Sequence, residues 1–99
     1  MKKLLIIRLS SLGDIILTTP VVRCLKLQTH ADIHFLTKRQ NAFLLSNNPH
    51  VDKVWAIDKD PLEIFGTVKM EHYDFVIDLH NNTRSRRLTL LLGRPAYRF

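Results

Sequence analysis

The 99-residue sequence has one cysteine, Cys24, so no internal disulfide can form and nothing redox follows from it. Cys24 lies among apolar residues at helical spacing and is expected as a small core residue. Glycine is almost as scarce. With only Gly13, Gly66 and Gly93, neither G-x-G-x-x-G nor G-x-x-x-x-G-K-[ST] can be written, which excludes the usual dinucleotide and P-loop sites. A long hydrophobic run is also missing. The apolar stretch at positions 4–7 is broken by Arg8, so neither a signal peptide nor a membrane span can be drawn, and a cytoplasmic protein is expected. Acids stop at Asp78, after which Arg84, Arg86, Arg87, Arg94 and Arg98 follow. Most of the formal charge of +6 therefore sits at the C-terminal end, where any polyanion-binding surface belongs. His30 and His34 are four apart, but they straddle a loop-to-strand transition, where that spacing does not put two rings on one face; no metal site is expected. His50 and His72 fall in loops and carry no further signal.

What is present alternates regularly. Residues 3–8 are a short aliphatic run suited to a buried strand, and residues 14–28 carry Ile15, Ile16, Val22 and Leu25 at helical spacing. Pro20 removes a backbone donor inside that helix and predicts a kink near Thr18 and Thr19. A second strand is expected over 32–36, a short helix over 39–46 stopped by Asn47, Asn48 and Pro49, and a third strand over 51–57. Asp60 followed by Pro61 offers an N-cap and a first-turn proline for a helix over 62–70, weakened by Gly66 and Thr67. "YDFVIDL", 73–79, reads as a fourth strand. A helix over 83–92 closes at Gly93, and 95–99 begins a fifth strand. Strands alternating with helices imply right-handed crossovers, a parallel sheet and helices on both faces: an α/β, Rossmann-like three-layer sandwich. A chain ending inside an element suggests part of a longer protein.

Ligands of open parallel sheets bind beyond the carboxyl ends of the strands. Two segments occupy that position: Leu9 to Asp14 after the first strand, and "DLHNNTR", 78–84, after the fourth. In the usual doubly wound order these two loops face each other across a crevice. Ser11 with Asp14 three residues later also approximates a capping box, and an acid in a helix's first turn is favoured by the helix dipole alone. That position favours the ionised carboxylate and so makes it a weaker base. Arg84, Arg86 and Arg87 on a short helix read either as a solvated face or as an anion-binding one.

"LLIIRLSSLGDIILTTPVVRCLK", 4–26, resembles the N-terminal motif of the heptosyltransferase family, glycosyltransferase family nine, and "YDFVIDLHNNTRS", 73–85, resembles that family's next characteristic segment. The resemblance runs in order along essentially the whole chain. It implies a partial N-terminal, acceptor-side domain of a GT-B fold over 1–99, with the C-terminal donor domain absent. It implies inverting transfer of heptose from ADP-heptose to the inner core of lipopolysaccharide, with no metal or other cofactor beyond the sugar-nucleotide donor, which the absent domain would mainly bind. By the same resemblance Asp14 is the general base on the acceptor hydroxyl. Ser10, Ser11 and Gly13 form the turn before it, and His80, Asn82 and Arg84 contact the acid-sugar acceptor. Peripheral contact with the inner membrane, self-association of the chain, no nucleic-acid partner and no catalysis by these residues alone are the accompanying expectations. The alternative is a small basic module for nucleic acid or another polyanion, resting on the arginine-rich end. It lacks interleaved aromatics and any recognition motif.

Overall fold

The computed structural model describes residues 2–80 and 82–98, the stretch 96–98 by its backbone; Asn81 and Phe99, which the sequence places in the second loop and in the fifth strand, lie outside the described residues. The aliphatic run forms β1 (Lys3–Ile7) and is followed by α1 (Leu12–Thr29), β2 (Asp32–Lys38) and a 3-10 turn at Arg39–Asn41. Then come α2 (Phe43–Ser46), β3 (Lys53–Ile57), a second 3-10 turn at Pro61–Ile64, α3 (Phe65–Lys69), β4 (Phe75–Asp78), α4 (Thr83–Leu92) and β5 (Ala96–Arg98). All strands pair in parallel, in the order β3-β2-β1-β4-β5. The chain winds outward from β1 through β2 to β3, crosses over, and winds the other way through β4 to β5. This is the α/β, Rossmann-like arrangement with β1 and β4 adjacent at the switch point.

β1 is the centre of the molecule because its side chains are apolar on both faces. Leu5 and Ile7 join a cluster with Val68 of α3 and Leu88 and Leu92 of α4. Leu4 and Ile6 join the opposite cluster with Ile15 and Val22 of α1 and Leu45 of α2. Alternate residues of one strand thus serve two cores, which is why a buried parallel strand reads as a continuous apolar run rather than an alternation. Each such side chain contributes about 1.5–3 kcal/mol by leaving water.

α1 is continuous through Pro20, beside which Thr19 Oγ1 donates to the Ile16 carbonyl at 2.8 Å, the acceptor that Pro20 has no N–H to serve. Other expectations are corrected. Cys24 is exposed. It stands two residues past the buried Val22, roughly 200° round the helix at 3.6 residues per turn, and so faces outward. Ile16 is likewise half-exposed, which leaves Ile15 and Val22 as the buried residues of the helix. The helix expected over 39–46 is a 3-10 turn and a single α-turn, and the one over 62–70 is divided in the same way ahead of Gly66. α4 ends as read, with Gly93 in the left-handed conformation at φ 65°.

Candidate functional site

The polypeptide divides at the end of β1. The Arg8 N–H donates to the Leu36 carbonyl of β2 at 3.1 Å, while the Ile7 carbonyl accepts from the N–H groups of Leu79 and His80, just past β4, at 3.0 and 3.1 Å. The loop into α1 therefore rises between two neighbours that are both tied to the strand it leaves. Its first residue is fixed from the β2 side: the Leu9 carbonyl accepts from Asn41 Nδ2 at 3.1 Å and Thr37 Oγ1 at 3.3 Å, both buried groups. Buried polar atoms on β2 and the following turn thus hold the base of the loop, as an unpaired carbonyl there would be costly.

Ser11 is the N-cap of α1, and Asp14 sits in its first turn. The Asp14 carboxylate accepts from Ser11 Oγ at 2.9 Å and, more weakly, from the Ser11 N–H at 3.4 Å, the reaching-back half of a capping box. Arg8 Nη2 meets the same carboxylate at 2.7 Å. The Ser11 hydroxyl first, and the Arg8 guanidinium after it, hold the Asp14 carboxyl below its usual range, so it is ionised at neutral pH. Gly13 has helical backbone and open space where a Cβ would stand.

Arg8 is the site residue that the sequence reading missed. It entered there only as the charge that ends an apolar run. Its Nη1 donates to the Leu79 carbonyl at 2.5 Å, so one guanidinium spans from the β4–α4 loop to the first turn of α1. The only local signal was an arginine ending a strand just before a turn with an acid, and that does not say where the side chain goes.

The second loop supplies His80, which is half-buried. Burial foremost, and the nearby charge of Arg8 next, push its imidazole below the usual histidine range, so the ring is neutral at neutral pH. Its Nδ1 is buried with no hydrogen-bond partner among the described residues. The His80 N–H also reaches Asp78 Oδ1 at 3.1 Å. Ser10, Ser11, Asp14, Arg8 and His80 are therefore gathered at the switch point. Asn82 instead caps α4, its Oδ1 accepting from the Ser85 N–H at 2.8 Å. Arg84 is exposed, and its Nη1 donates to the Lys59 carbonyl at 3.1 Å, in the turn after β3. That turn is braced by Glu63, whose carboxylate accepts from the N–H groups of Asp58, Lys59 and Asp60 and is pulled down to about 2 by them. Arg84 thus belongs to the rim beyond α4 and β3.

Among the described residues no three His, Cys, Asp or Glu side chains come together as a metal-binding group, and no helix is long and apolar enough to cross a membrane. His34 is a structural residue, buried on β2 between Tyr73 and Asp32.

No family model matches the chain. Over 98% of its length it is 32% identical to a lipopolysaccharide heptosyltransferase 1 from Campylobacter coli, of which it spans 30%. Among solved structures, a glycosyl transferase family 9 protein from Veillonella parvula is 25% identical, with a TM-score of 0.82 over 97% of this chain and 32% of that one. Two E. coli proteins share the fold. One is heptosyltransferase WaaC with ADP, 20% identical with a TM-score of 0.83 over 98% of this chain and 34% of that one. The other is ADP-heptose lps heptosyltransferase II, 24% identical with a TM-score of 0.79 over 99% and 30% respectively. The chain thus spans about a third of the length of the proteins it matches.

Proposed function

We propose that this chain, related in sequence and fold to the heptosyltransferases of glycosyltransferase family nine, is the acceptor-side segment of an inverting sugar transferase. In this reading the complete enzyme moves heptose from ADP-heptose to the inner core of lipopolysaccharide at the cytoplasmic face of the inner membrane, and the donor is gripped mainly by a second domain.

The observation that carries the reading is the placement of Asp14: ionised, half-exposed, at a helix N-terminus beside the β1–β4 switch point. It takes the proton of the acceptor hydroxyl as that oxygen attacks the anomeric carbon and the nucleoside diphosphate departs. An acid held this low is a weak base, which suffices when departure of the leaving group runs ahead and the hydroxyl proton is lost late. Ser10 and Ser11 line the turn, and His80, neutral and with Nδ1 unpartnered among the described residues, offers one hydrogen-bonding atom from the opposite loop. Arg84, with one guanidinium nitrogen on Lys59, keeps other N–H groups for an anionic group of the acceptor at the outer rim. Asn82 acts by capping the helix that carries Arg84. No metal is called for in this scheme.

Asp14→Asn in the complete transferase tests the base. Asparagine can still accept from Ser11, so thermal unfolding should stay close to that of the parent while turnover falls by roughly 100- to 10,000-fold. Near-normal turnover would reduce Asp14 to a helix-capping residue.

A further inference from the structure

Among the described residues, the hydrogen bonds and the ion pair of the Asp14 carboxylate converge on one oxygen. Oδ2 accepts from Ser11 Oγ and the Ser11 N–H and meets Arg8 Nη2 at 2.7 Å, whereas Oδ1 has no partner among the described residues. Arg8 is itself immobilised at both ends. Its backbone is within hydrogen-bonding reach of β2, its Nη1 is on the Leu79 carbonyl, and only 22% of its side chain is exposed. A guanidinium is planar, with its N–H groups in a fixed fork. Once Nη1 is committed to Leu79, the direction in which Nη2 points is decided, and with it the position of Oδ2.

We infer that Arg8 is a positioning residue that pins Asp14 Oδ2 and thereby presents Oδ1 as the oxygen that takes the acceptor's proton. The inference rests on the reading of Asp14 as the base and adds which oxygen works and what aims it. Protonation at Oδ1 leaves the contacts at Oδ2 in place, whereas protonation at Oδ2 would require breaking the ion pair first. Because Leu79 opens the loop that carries His80, the same guanidinium also fixes that loop against the carboxylate. A merely structural staple between β1, α1 and the β4 loop would need the bond to Leu79 but no defined orientation of Asp14.

The test compares Arg8→Met and Arg8→Lys in two measurements. In the first, the Asp14 carboxyl of this chain is titrated by carbon-detected NMR. Arg8→Met should raise its titration toward the ordinary carboxylate range, held back in part by Ser11, and Arg8→Lys should keep it low because the charge remains. In the second, kcat and KM for the acceptor are measured in the complete transferase. Arg8→Met should lower kcat by roughly 100-fold with little change in KM, the signature of a misaimed reacting group. Arg8→Lys should recover kcat only in part, since one ammonium cannot hold Leu79 and Asp14 in a fixed fork. An unmoved Asp14 titration in a folded Arg8→Met chain overturns the inference. If that variant does not fold, full kcat in Arg8→Lys overturns it instead. Either result with Asp14→Asn inactive sinks the role of Arg8 alone, whereas an active Asp14→Asn enzyme removes the general-base reading beneath it.

Discussion

At the scale of single residues, the buried polar groups outside the site show how fully each hydrogen-bonding atom is placed. Trp55 Nε1 donates to the Tyr73 hydroxyl oxygen at 2.7 Å, and Tyr73 lies 2.6 Å from His34 Nδ1. His34 Nε2 is 3.1 Å from Asp32 Oδ2. A carboxylate only accepts, so Nε2 carries a proton toward Asp32, while Nδ1 shares its hydrogen bond with the Tyr73 hydroxyl. Burial drives the Tyr73 phenol well above its usual range, which keeps it a donor at any physiological pH. Tyr73→Phe strands both the Trp55 N–H and the His34 Nδ1. It should lower stability by about 1–3 kcal/mol, the cost of leaving buried polar atoms unpaired. Urea unfolding measures the loss, and the emission of Trp55, the sole tryptophan, reports the altered contact. Little of this was legible locally, because apart from Asp32 on the same strand the members of the network come from β3 and from the residues leading into β4. Spacing along the chain could only pair it with His30, which instead closes α1 in the left-handed conformation.

At the scale of elements, α1 shows a local rule met by a local remedy. Proline within a helix costs roughly 3 kcal/mol relative to alanine, through the lost hydrogen bond and the crowding of the preceding turn. Here the hydroxyls of Thr18 and Thr19 donate to the carbonyls of Ile15 and Ile16 at 2.6 and 2.8 Å. The pair Thr18-Thr19 ahead of Pro20 was visible in the sequence, where Pro20 reads as a kink. What decides for continuity is that Ile15 lies before the proline and Val22 after it, both buried against the same face of the sheet. Pro20→Ala should restore the bond to the Ile16 carbonyl and stabilise the chain by about 1–2 kcal/mol, the gain being reduced because alanine leaves the unfolded chain freer. A higher urea midpoint at unchanged slope is the expected result. An unchanged or lower midpoint would mean that the threonine hydroxyls already make good the loss.

At the scale of the whole molecule, the sheet order leaves β3 and β5 as the outer strands among the described residues, with one row of backbone groups each turned away from the sheet. On the α1 side, Val21 and Leu25 stand beside Ile77 and Leu79 around an apolar groove of about 380 Å³, while α3 and α4 cover the opposite face. Leu17, one turn before Val21, is 74% exposed. Open edges and an uncovered apolar groove lead us to expect that this chain associates with itself. Sizing chromatography across a concentration series should show a shift toward larger species, and a monomer at every concentration would contradict the expectation. The chain alone should also give no transfer from ADP-heptose to a deacylated acceptor, since rate depends on holding the donor's anomeric carbon against the attacking oxygen. Sustained turnover would overturn the two-domain reading.

The sequence by itself determined the elements whose cause is local. The aliphatic run of β1 is apolar on every face because both faces are covered, Gly93 ends α4 because its φ of 65° suits a residue without a Cβ, and alternation of strands with helices forces the parallel sheet. Adjacency of β1 and β4 was legible on the premise of the usual doubly wound strand order, and with it the meeting of the Ser10–Asp14 turn with the loop that carries His80. Tertiary structure alone decided what each long side chain does there. An arginine reaches far enough to choose among many partners, and only the folded arrangement puts Arg8 between Asp14 and Leu79 and sends Arg84 to Lys59 instead. Whether Cys24 faced core or solvent was likewise set by which side of α1 the sheet occupies, since the helix carries apolar residues nearly all the way round.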